Sequence, residues 1–96
     1  MTKEEFSTSM ASAIAGCDGA VMDNRQFEWL MKFIDKVASE NGDAIMLASV
    51  SLAQTELSLA MNSTSENNRQ NHIDKIKGYC DSIGKSFTRI EKSKAV

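Results

Sequence analysis

Few side chains in this sequence of 96 residues are equipped for chemistry. His72 is the single histidine, and it stands in a polar stretch beside Asn71 and Asp74. A catalytic or metal-bound imidazole needs convergent partners. None lies at ligand spacing, so His72 is expected to be solvated. Cys17 and Cys80 are far apart, and neither belongs to a CxxC pair. Both fall at apolar helix positions, where a thiol acts as a small, inert hydrophobe. Such usage suits a reducing compartment; a single Cys17–Cys80 bridge is the alternative. Asp18, Gly19 and Asp23 share an acidic turn. Counted from Asp18, however, positions three, five and twelve are Ala20, Met22 and Trp29, where a calcium loop needs oxygen ligands. Caps and turn chemistry account for both acids. Gly16 and Gly19 form no phosphate-binding pattern. No catalytic residue, metal ligand or cofactor site is expected, and the chain reads as a non-enzyme.

The elements that hold these residues are helical. Proline is absent and glycine sparse, while β-branched and aromatic residues are too scattered to make alternating strands. The length suits one domain, residues 1–96, with a small core. The organising stretch is Asp43–Met61, in which only Asp43 and Glu56 carry charge. At helical spacing Met46, Val50, Ala53, Leu57, Ala60 and Met61 form one apolar stripe, and Ile45, Leu52 and Leu59 form a second on roughly the opposite side. A helix apolar on two sides is usually buried between neighbours, so this is expected to be the central helix, capped by Asp43.

A first helix is expected from Thr2, with Glu5 completing a capping box. Its apolar face is Phe6, Met10, Ala13, Ile14 and Cys17, and Gly16 and Gly19 should end it. A second is expected from Asp23, with a Met22–Phe27 staple across the cap and Phe27, Leu30, Met31, Ile34, Val37 and Ala38 facing the core. Trp29 and Phe33 fall off that stripe. Asn41-Gly42 closes the helix, with Gly42 suited to a left-handed terminus. Residues 62–72 favour a loop by composition, with a frayed helix as the alternative. The last helix, from about Asn68 to Lys92, carries Ile73, Ile76, Cys80, Ile83, Phe87 and Ile90 at alternating spacings of three and four. That is a heptad seam of the coiled-coil type, best matched by a long neighbour crossing near 20°. The expected fold is all-α: a three- to four-helix bundle in which the central and C-terminal helices make a long antiparallel hairpin.

Charge is unevenly spread. Residues 1–43 sum to −4, residues 44–65 to −1 and residues 66–96 to +3. The basic tail (Lys75, Lys77, Lys85, Arg89, Lys92, Lys94) lacks interleaved aromatics and a helix-turn-helix signature, and the acidic balance of the whole chain weighs against a nucleic-acid partner. The N-terminus is polar where a signal peptide needs an apolar segment, which points to the cytoplasm. Ser49, Ser51, Gln54, Thr55, Glu56 and Ser58 interrupt the central stretch, so no membrane span is expected.

Two family likenesses accompany these features. The small-residue arm Gly42–Gly84, with Ala53-Gln54 near its middle and a polar break, resembles the pilins and needle subunits of type III secretion systems. That likeness implies a filament subunit exported without a cleaved signal, although the hydrophilic Glu91–Ala95 end departs from it. The stretch Ala13–Val37 is similar to the helix–acidic-turn–helix unit of tellurite-resistance TerB-like domains. Neither likeness assigns functional residues. The function expected from the residues themselves is a non-enzymatic interaction module that self-assembles as a homo-oligomer or binds a protein partner. Its interface is expected to include Trp29, Phe33, Ile45, Leu52 and Leu59, since aromatics outside a core stripe are enriched at interfaces. The alternative is a monomeric inhibitory or chaperone-like protein, such as a phage-type inhibitor, immunity protein or secretion chaperone.

Overall fold

Asp43 fixes the centre of the architecture. Its Oδ1 accepts the Met46 N–H at 2.9 Å, capping the helix Ala44–Met61. Just before it, Gly42 takes φ 63° and closes the preceding helix by donating to the Ala38 and Ser39 carbonyls, a conformation that costs glycine little. The computed structural model describes residues 2–17 and 23–94. They form four helices, α1 (Lys3–Cys17), α2 (Arg25–Asn41), α3 (Ala44–Met61) and α4 (Glu66–Lys94), and no strand occurs among the described residues. The all-α class, the Thr2 cap on Glu5 N–H at 3.2 Å, the Gly42 terminus and the Asp43 cap all stand as expected.

α1 ends at Cys17, between the two glycines expected to stop it, while the starts of α2 and α4 differ. The Gly16 carbonyl accepts from Asp23 N–H at 3.0 Å, and a Cβ on Gly16 would come within 3.2 Å of the Asp23 carbonyl oxygen. That glycine therefore serves close chain approach. α2 has Asn24, not Asp23, at its N-cap, and Asn24 makes no side-chain cap bond. Asp23 instead accepts the Arg25 N–H and guanidinium, at 3.0 to 3.1 Å. α4 starts at Glu66 because Ser65 caps it, its Oγ accepting from Asn68 N–H at 3.4 Å. The connection shrinks to residues 62–65, and Asn67, Asn68 and Asn71 are helical. The Met22–Phe27 staple and the Asp18–Gly19 turn lie outside the described residues.

The helices form a ring in which α1 packs on α2, α2 on α3, α3 on α4 and α4 on α1, with α3 on α4 the most extensive contact. The α3–α4 hairpin is antiparallel: Glu56 meets His72 near the short connection, and Asp43 meets Arg89 at the far end. The heptad seam lies in this core, with Ile73, Ile76, Cys80, Ile83 and Phe87 buried and Ile90 half-buried against it. α4 has a second neighbour, because Phe6 of α1 meets Phe87 at 5.2 Å and Lys3 N–H donates to Glu91 at 2.9 Å.

α3 corrects the expectation of a helix covered on both sides. Its first stripe is buried from Met46 to Ala60, but Ile45, Leu52 and Leu59 lie exposed, as does Met61 from the supposed core stripe. Among the described residues α3 is the one helix long and apolar enough to span a bilayer. Here one side of it packs on α2 and α4 instead.

The open end of the hairpin is latched by charge. Asp43 accepts from Arg89 at 3.3 to 3.4 Å and from the buried Ser86 hydroxyl at 3.4 Å, and Arg89 also donates to Ser86 at 2.6 Å. Burial pushes the Asp43 carboxyl up, but the Met46 N–H, Arg89 and Ser86 outweigh it and hold the carboxyl below its ordinary range. A depressed carboxyl stabilises the fold above its unfolded value of about 3.9 and loses that effect as pH falls through the folded value. Asp43→Asn is therefore expected to be less stable than the wild type at about pH 6, with the gap in urea midpoints closing below about pH 4. A gap that stays constant across that range would show that the charge does not drive the latch.

Candidate interaction surface

The structure presents large apolar side chains where solvent reaches them: Trp29 is 63% exposed, Ile45 57%, and Leu52 and Leu59 46% each. Ile45, Leu52 and Leu59 follow one another at seven-residue spacing along α3, and exposed Ala48 and Thr55 fall between them. The row is therefore a second heptad seam, facing away from the core. From Ile45 to Leu59 it runs about 21 Å at 1.5 Å per residue.

This face is free of charge for a specific reason. Glu56 is the one acid within α3, and it is turned onto α4, where its Oε2 lies 2.6 Å from His72 Nδ1. Both side chains are largely buried. A carboxylate can only accept, so the imidazole N–H donates. His72 is thus not solvated, as the sequence suggested, but is a largely buried tie between α3 and α4. Finding it requires the hairpin register, because the partners stand sixteen residues apart.

Trp29 and Phe33 stack with ring centroids 6.2 Å apart and planes 21° from parallel. Phe33 is half-buried against the core and lines a groove with Val37, Phe87 and Ile90. Only Trp29 projects freely. The two do not join the α3 row. They share the side of α2 that meets α1, where Gln26 bonds Ser12, whereas the side that meets α3 places Asn24 against Met61. The five expected interface residues therefore fall on two separate patches.

Cys17 and Cys80 are buried and are not bridged to each other. Burial, with a smaller push from Asp81, raises the Cys80 thiol to about 12, far from the thiolate a nucleophile needs. Among the described residues no three His, Cys, Asp or Glu side chains converge to hold a metal. An open groove of about 450 Å³ between α1 and α4 is floored by Phe6, Met10, Ile14 and Cys80. Ser7, Lys77 and Asp81 also line it.

No family model, curated protein or solved structure matches the chain.

Proposed function

We propose that this chain is a non-enzymatic interaction module that receives a helix of a protein partner along the exposed row of α3. The observation behind this reading is the row itself: Ile45, Leu52 and Leu59 roughly half exposed at heptad spacing, on a helix whose one acid is turned away to His72. A solvated helix face normally carries charge, and aligned apolar side chains left in water mark interaction sites. The spacing suits a second helix, which offers holes at the same repeat.

Magnitudes limit what the row does alone. Covering three half-exposed aliphatic side chains yields about 1 kcal/mol each. The roughly 3 kcal/mol total falls short of the freedom lost on association. A partner must add further contacts beside the row.

The test is a panel of 21-residue leucine-seamed helical probe peptides with acidic, neutral or basic flanks, followed by fluorescence anisotropy against the intact chain. At least one probe is expected to bind at one-to-one stoichiometry, Leu52→Asp to lose it and Trp29→Ala to keep it. Binding by none of the probes, or binding untouched by Leu52→Asp, would refute the reading.

A further inference from the structure

We infer that the helix received on this surface carries acidic side chains beside its apolar seam. The inference rests on the docking proposal above and adds the chemistry of the partner. It starts from where the row lies. On α3 the side chains facing α4 are marked by Glu56, which meets His72, and those facing α2 by Met61, which meets Asn24. Placed at 100° per residue, Ile45, Leu52 and Leu59 fall on the α4 side of the outer surface. The crest itself is made by Ser51, Thr55 and Ser58, all exposed. The apolar row thus occupies the notch between α3 and α4, and a notch between two helices admits a rod.

The opposite wall of that notch is basic. On α4, Ser86 and Arg89 reach Asp43 and His72 reaches Glu56, which fixes the α3 flank of this helix. Lys75, Ser82 and Arg89 follow at seven-residue spacing along the outer edge of that flank, antiparallel to the α3 row; Arg89 is paired with Asp43, so the basic charge of this wall rests on Lys75, with Lys85 and Lys92 exposed further round. The carboxylates nearby are engaged. Glu56 is held by His72, and Asp43 by Met46 N–H, Ser86 and Arg89. Asp74 pairs with Lys77 and Gln70. Asp81 lies in the α1 groove, and Glu91 accepts from Lys3 N–H. An apolar wall facing a basic wall complements an amphipathic helix with acids along one border of its seam.

Two other occupants fit less well. A second copy docked row on row would bring the same uncharged α3 seam, its acidic excess lying in residues 1–43 instead. An anionic bilayer would also attract the lysines, but an interfacial helix buries a broad protruding apolar face, and here the crest carries hydroxyls.

The experiment compares the acidic-flanked and basic-flanked probes on the intact chain at low and high salt. The acidic probe is expected to bind at least about tenfold tighter at low salt, with the preference shrinking near 0.5 M as screening shortens. The double variant Lys75→Glu/Lys85→Glu, with its fold checked by circular dichroism, is expected to reverse the preference. Leu52→Asp should remove binding of both probes. Equal binding of the two probes, or a preference that survives the double reversal, would overturn the acidic chemistry while leaving the docking reading intact. A Leu52-dependent dimer of the chain alone in light scattering would overturn it in favour of a second copy. Sedimentation with phosphatidylserine vesicles in place of probe binding would overturn it in favour of a membrane.

Discussion

Replacing Leu57 by aspartate is expected to unfold the chain, whereas the same replacement at Leu52 is expected to leave it folded. The two leucines sit on one helix, but Leu57 is 4% exposed and Leu52 46%. At Leu57 the change removes a buried side chain, a loss of about 2–5 kcal/mol as for truncation, and then forces a carboxylate into an apolar core. The second term is several kcal/mol without a partner. Together they reach the 5–15 kcal/mol that holds a typical domain. At Leu52 the carboxylate stays in water and the loss is about 1 kcal/mol or less. Far-ultraviolet circular dichroism and urea melts of both variants decide the matter. If Leu52→Asp melts as readily as Leu57→Asp, the row is part of the core and the interaction surface does not exist.

The second large effect concerns how α1 is held. Phe87 is 2% exposed on α4 and meets Phe6, also 2% exposed, from α1. Phe87→Ala is expected to cost about 3–5 kcal/mol, the usual range for a buried phenylalanine. Phe6→Ala should fall in the same range. Because the rings touch, the double variant should cost less than the two single losses combined, by about 0.5 kcal/mol or more. Urea denaturation of all four proteins supplies the cycle. Strict additivity would mean that the two rings contribute independently and that their contact does not join α1 to α4.

The hairpin was legible because Ile73, Ile76, Cys80, Ile83 and Phe87 keep one repeat without interruption, and such a seam demands a long neighbour. Asp43 and Gly42 were legible because capping depends on a few adjacent residues. The outer row of α3 was visible as a pattern but not as a surface. Periodicity shows that Ile45, Leu52 and Leu59 share a side without showing what covers it, and with only α2 and α4 packed against it α3 has one side left over. The angle of Met61 fits the core stripe, yet it is the last residue of the helix and lies 48% exposed. His72 looks solvated in the sequence because its partner Glu56 is near only once the hairpin register is set. Asparagine composition makes 62–72 look like a longer loop than it is, because it masks a single serine cap at Ser65. Trp29 and Phe33 looked equivalent in sequence; they separate because Phe33 leans toward the core and the groove beside α4, and Trp29 does not.

The most direct measurement is methyl nuclear magnetic resonance of the isoleucine, leucine and methionine side chains while the acidic-flanked probe is titrated into the intact chain. The expected shifts are centred on Ile45, Leu52 and Leu59, with the buried methyls of Ile73, Ile76 and Ile83 nearly unmoved. Shifts centred instead on Met10 and Ile14 in the α1–α4 groove, or no shifts at all, would contradict the assignment of the α3 row as the docking surface.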